Sequence, residues 1–284
     1  MTDMRTIQSH LHLALLLAIV GIAPLARAEQ QPLWEAGAGV GLLSMPDYLG
    51  SDRHKTYALP IPYLVYRGEV LQVDRDKVRG LFYKNERSEW DVSLGAAVPV
   101  KSRDNTARSG MPNLDPTVEV GPQWSYRLRD DWLKATLRLP VRKVLAVDGF
   151  KLHDAGTVFT PTLALDRDDH PAPGWHASIS TGPQFGDRNY HRYYYEVTPA
   201  QATPSRPTYT AAGGYGGWQF TTTLSKRFDS IWLGGFLRGN WLAGAAFEDS
   251  PLVREKFSWM GGVGMAWVFA ESNKKLEVGR PKSD

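Results

Sequence analysis

No cysteine occurs anywhere in the 284 residues. That excludes a disulfide framework, a thiolate metal site, a cysteine nucleophile and a lipid-modified N-terminal cysteine, and it suits a chain that crosses an oxidising compartment. Beyond the N-terminus there is also no run of roughly 18 or more apolar residues, so any insertion into a membrane would have to use strands. An excess of one charge is missing as well. Lys and Arg number 33 against 30 Asp and Glu, a net +3, and the two signs are interspersed, which is weak support for a nucleic-acid partner. Finally, there is no G-x-S-x-G elbow, H-E-x-x-H pair, Walker loop or complete G-x-G-x-x-G fingerprint opening a helix. No metal or cofactor is expected.

What is present begins with an address. Arg5 supplies a positive start, Leu11 to Ala26 is a short apolar run, and Ala26-Arg27-Ala28 is an A-x-A cleavage site before the polar Glu29-Gln30-Gln31-Pro32. This is the pattern of a secretory signal peptide over residues 1–28. Its removal takes away Arg5, Arg27 and Asp3, leaving a mature net charge of +2.

From Trp34 onward the apolar residues recur with a period of two, the mark of strands with two different faces. Trp34, Ala36, Ala38, Val40 and Leu42 oppose Glu35, Gly37, Gly39 and Gly41, whereas Leu133, Ala135, Leu137, Leu139 and Val141 oppose Lys134, Thr136, Arg138 and Arg142. Near the end, Trp259, Val263, Met265, Trp267 and Phe269 oppose Ser258, Gly262, Gly264 and Ala266. The pattern predicts about twelve strands, including short ones at Val70–Asp74 and Arg79–Lys84, and an irregular stretch from Gly186 to Tyr209. Connections alternate in length: long at 44–55, 101–115, 148–155, 186–209 and 246–256, short at most others, with Asp74–Val78 and Arg167–Pro173 as exceptions.

Two architectures share this periodicity. In a soluble sandwich the charged faces carrying Asp91, Glu119, Arg127, Lys134, Arg138, Arg142 and Asp166 would be the wet outside. In a membrane barrel they would line the lumen, because lipid tolerates neither free charge nor an open sheet edge. The signal peptide, the asymmetry of long loops and short turns, and the aromatic strand ends favour a closed antiparallel transmembrane β-barrel over residues 29–270, with long extracellular loops and short periplasmic turns. Residues 271–284, with Lys274, Lys275, Arg280 and Lys282 and a Gly279-Arg280-Pro281 breaker, are expected to be a flexible periplasmic tail.

Three segments carry a resemblance. Pro46-Asp47-Tyr48-Leu49-Gly50-Ser51-Asp52 followed by Pro60-Ile61-Pro62, then Asn189-Tyr190-His191-Arg192-Tyr193-Tyr194-Tyr195-Glu196-Val197-Thr198, then Asp249-Ser250-Pro251-Leu252-Val253 ahead of Trp267-Val268-Phe269, are similar to the MltA-interacting protein (MipA/OmpV) family. The resemblance implies an outer-membrane β-barrel. It also implies a scaffold that links a lytic transglycosylase to a murein synthase in peptidoglycan growth.

Candidate residues follow from these readings. Val263, Met265, Trp267 and Phe269 should face outer-membrane lipid on a strand that seals the sheet against Trp34–Leu42, with Phe269 as the end of the folded protein. Lys134, Arg138 and Arg142 share one face of one strand, where they could favour anions in a narrow pore or pair across the lumen with Glu119, Asp91 or Asp166 and plug it. An esterase-like site drawing on His176 or His191 with Ser178, Ser180 or Asp187 is the enzymatic alternative.

Overall fold

The computed structural model describes residues 30–68, 71–73, 78–80 and 83–277. The expected signal peptide with Ala26 and Ala28, the link at 74–77 and the end of the tail at 278–284 lie outside the described residues. The strands are β1 (Gln30–Pro32), β2 (Trp34–Pro46), β3 (His54–Arg67), β4 (Leu71–Val73), β5 (Val78–Gly80), β6 (Tyr83–Lys84), β7 (Ser88–Ala97), β8 (Thr117–Asp130), β9 (Lys134–Asp148), β10 (Lys151–Phe159), β11 (Thr162–Asp168), β12 (Trp175–Gly186), β13 (Gly214–Phe228), β14 (Ile231–Trp241), β15 (Phe257–Glu271) and β16 (Lys275–Glu277). One helix, α1 (Arg188–Tyr195), follows β12. β1 and β16 form a two-stranded antiparallel sheet of their own, in a unit separate from Leu33–Asn273.

All other strands belong to one antiparallel sheet of fourteen, in which β2 pairs with both β3 and β15, so that the first and last long strands are neighbours. The ends of the path, β5 and β6, are consecutive in the chain, and β5 approaches β7. Among the described residues, β3 meets β4 only at Tyr66 and Arg67, and β7 meets β6 only at Trp90 and Glu89. The two strands predicted at 70–84 are therefore three short pieces, β4 and β5 at one end of the path and β6 at the other.

Alternation sets the faces. On β15, Val263 (64%), Met265 (50%), Trp267 (61%) and Phe269 (57%) stay exposed, while Ser258, Ala266 and Val268 are buried. The register puts Val263 beside Leu42, Met265 beside Val40 and Trp267 beside Ala38, so the outer faces of the two strands form one apolar surface. Inside, Gly41 and Gly264 leave a gap that the Ile61 side chain fills. Exposed aromatics gather at two levels, Trp218, Trp241, Phe257 and Trp259 at one and Trp34, Trp132, Phe228 and Trp267 at the other, which is the arrangement of aromatic girdles at two membrane interfaces. The eleven residues of β14 match the roughly 9–11 that a tilted strand needs to cross.

β10 and β11 are successive halves of one crossing. Both pair with β9 and both with β12, interrupted at Thr160-Pro161, where proline has no N–H for the ladder. The predicted loop at 148–155 is instead a tight hairpin, paired from Lys151 opposite Asp148. Gly149, at φ 60°, turns the chain. A bulge follows between Asp154 and Gly156, and Gly156, at φ 105°, lies so close to the backbone of Tyr190 that a β-carbon there would collide with it.

The chain does not stop at Phe269. β15 runs on to Glu271, and Ser272 Oγ accepts hydrogen bonds from the N–H groups of Leu33 (2.8 Å) and Trp34 (3.3 Å). Part of the stretch read as a tail is thus strand and clasp.

Candidate functional site

At the loop end, four connections, 47–53, 98–116, 187–213 and 242–256, come from all round the sheet and meet in one buried cluster. Tyr48, Val100, Leu114, Tyr195, Leu242, Phe247 and Leu252 are at its centre, all at most 5% exposed. The helix within this dome replaces much of the irregular stretch expected after Gly186. Asp187 caps it by accepting from Tyr190 N at 2.8 Å, satisfying one of the free donors of a helix start. The signal was in the sequence, an Asp ahead of a polar and aromatic run with no proline.

Hydrogen bonds between the loops hold the dome. Asn105 Nδ2 donates to Asp47 Oδ2 (2.8 Å) and Ser51 Oγ (3.0 Å). The Arg108 guanidinium donates to the Tyr194 carbonyl (3.0 Å), and that of Arg206 to the carbonyls of Ala107 (3.0 Å) and Ser109 (2.8 Å). Tyr48 Oη donates to the Leu252 carbonyl (2.9 Å), and Tyr195 Oη to that of Leu49 (3.0 Å). Burial pushes the Tyr48 phenol up to about 12 and Tyr195 well above its ordinary value, so both remain hydrogen-bond donors at neutral pH. His191 is wholly buried, and burial lowers its pKa. Its Nδ1 lies 2.7 Å from the Ala212 carbonyl and therefore carries the proton, while Nε2 is buried without a partner among the described residues.

Below the dome the lumen is polar. The predicted charges pair, but with neighbours along the wall rather than across the lumen. Arg142 Nε donates to Glu119 Oε2 at 2.8 Å and Arg142 Nη1 to Ser93 Oγ at 3.2 Å. Arg138 lies 3.4 Å from Asp166, and Lys134 is 2.8 Å from Asp168 near the short turns. Asp91 accepts from Gln123 at 3.3 Å. Sequence reading missed Glu35. This residue is 3% exposed and accepts from Arg67 Nη2 (2.7 Å), from Arg227 and from Tyr63 Oη (3.4 Å), a buried carboxylate compensated from three sides.

The enzymatic set is divided between the two ends of the barrel, with His176, Ser178 and Ser180 on β12 and Asp187 and His191 together at α1. His176 Nδ1 lies 2.7 Å from Asp168 at the turn end, whereas Asp187 caps α1 at the loop end and His191 is in the dome. Between dome and turns the lumen keeps a cavity of about 630 Å³, bordered by Leu49 and Tyr190 from the dome.

An antiparallel sheet with an apolar, girdled outside and a charged inside defines an outer-membrane β-barrel protein. The family model of the MltA-interacting protein MipA matches residues 38–269, and the chain belongs to that family. A relative, the outer membrane protein Omp26La of Vibrio anguillarum, is 21% identical over 243 residues, 82% of this chain and 86% of its own. Among solved structures the chain is similar to a bacterial polysaccharide outer membrane secretin (TM-score 0.42, 9% identity, 83% of this chain and 99% of that one). It is also similar to outer membrane phospholipase A from Escherichia coli (TM-score 0.34, 8% identity, 84% and 94%). Its place is the outer membrane.

Proposed function

We propose that this protein is a non-enzymatic scaffold that holds a lytic transglycosylase and a murein synthase at the outer membrane for peptidoglycan remodelling. The observation that carries the reading is the match over residues 38–269 to a family described as MltA-interacting. The geometry supports it. Loops packed over one mouth and charges paired along the wall favour a rigid body that offers surface over one that offers passage. A murein synthase as second partner rests on the family resemblance of the Pro46–Asp52, Asn189–Thr198 and Asp249–Val253 segments. A narrow channel for small solutes is the second reading, supported by the lumenal cavity. The test is capture of the tagged protein from detergent-solubilised envelopes, followed by immunoblotting. Both enzymes should be retained with it, and retention of neither above the level of an unrelated barrel would overturn the scaffold.

A further inference from the structure

The inner faces of β12, β13 and β14 carry a polar wall that the ion pairs above do not use. Register places Ser180, Thr221 and Arg238 side by side across the three strands, and two residues nearer the loop end Gln219 lies beside Asn240. All five border the same cavity. Arg238 Nε donates to Thr221 Oγ1 at 3.0 Å. Arg142 and Glu119 border the same cavity as Arg238, and Glu119 is already held by Arg142. The trio therefore carries one net positive charge in a wall partly removed from water. Asn240 is 4% exposed as a whole residue yet borders the cavity, and its carboxamide is not one of the buried side-chain groups without a partner. Its polar end therefore meets the cavity, where a ligand hydroxyl can replace water.

We propose that this wall binds a small hydroxylated monocarboxylate, of the aldonic- or uronic-acid class. The carboxylate lies on Arg238 with Arg142 as the second positive neighbour, and the hydroxyls meet Asn240, Gln219, Thr221 and Ser180. One negative charge is what the trio lacks, and a second would meet Glu119. Guanidinium groups suit carboxylates because their N–H groups are arrayed in one plane. The cavity volume of about 630 Å³ falls within the roughly 300–1,000 Å³ common for small-molecule sites. Entry is from the turn end, where a narrower cleft of about 100 Å³ shares Asp91, Gln123 and Arg138 with the cavity.

This site does not depend on the scaffold reading, so it is tested on the purified full chain alone, refolded in detergent. Calorimetric titration with D-gluconate should be saturable and about tenfold or more tighter than with sorbitol, its neutral counterpart. Arg238→Gln should weaken gluconate by about tenfold or more, Arg238→Lys should recover part of the loss, and Lys134→Gln, remote from the wall, should leave binding unchanged. Absence of saturable gluconate binding, equal binding of sorbitol, or unaltered affinity in a folded Arg238→Gln protein would each overturn the proposal. The comparison of gluconate with sorbitol on the unmodified chain decides even if that variant fails to fold.

Discussion

The ring of Tyr195 lies flat on that of Phe247, with centroids 3.7 Å apart and planes 5° from parallel. One residue ends the helix after β12 and the other belongs to the connection after β14, so a single stacked pair, 52 positions apart in the chain, fastens two loops to each other. Both rings are at most 2% exposed, and His191 meets the same Phe247 edge-on at 4.8 Å. The dome is in this respect an ordinary hydrophobic core built at the mouth of a barrel.

Phe247→Ala should open that core. Removing a buried phenylalanine costs about 3–5 kcal/mol, borne by the loops and not by the strand ladders. The expected outcome is a barrel that still assembles but whose connections at 187–213 and 242–256 are cut by protease on intact cells. Resistance equal to that of the unmodified protein would show that the stacking does not hold the loops.

His191 should make the dome sensitive to acid. Burial lowers its pKa below the unfolded value of about 6.5, so the folded state holds the imidazole neutral. Above about 6.5 both states are neutral and the full stability is present. As pH falls, the unfolded state takes up the proton first and stability is lost progressively until the folded value is passed. Asp187 favours the charged form from nearby, but among the described residues Nε2 has no acceptor waiting. Protection of residues 187–213 from protease should therefore decline between pH 7.5 and 5, and His191→Phe should flatten that decline. A decline of unchanged size in the variant would assign the effect to another group.

Ser272 should matter more than its place near the C-terminus suggests. A chain ending at Phe269 loses the last pairings of β15 with β2 and the clasp on Leu33 and Trp34, whereas one ending at Asn273 keeps both. Heating in gel-shift assays should unfold the first at lower temperature than the second, and Ser272→Ala should fall between them, since each N–H left without its acceptor costs about 1–3 kcal/mol where buried. Equal unfolding temperatures would return the end of the fold to Phe269.

Much of the barrel could be read from the sequence because lipid and lumen impose opposite chemistry on alternate residues, as Val263, Met265 and Trp267 against Gly262, Gly264 and Ala266 make plain. The Arg142–Glu119 pair was legible for the same reason, since two opposite charges on inner faces have few other places to go. Glu35 was not. Its partners Arg67 and Arg227 are 32 and 192 residues away, and nothing local to a Trp-Glu-Ala strand start announces them. The dome was hidden by the same distance. Tyr48, Asn105, Arg108, Tyr195, Arg206 and Phe247 each look like loop residues until the four loops meet, and the helix among them was masked by polar and aromatic residues whose apolar side is needed only there. The hairpin at Gly149 was missed because Lys151, His153 and Asp154 read as loop chemistry, although at a barrel rim they extend a ladder into water.

A dome that roofs the lumen should deny the barrel a path through it, and single-channel recording of the full-length protein in planar lipid bilayers tests this. The unmodified protein should give no stepwise conductance, while a version with the 98–116 and 187–213 loops shortened should give steps. Steps of uniform size from the unmodified protein would contradict the claim.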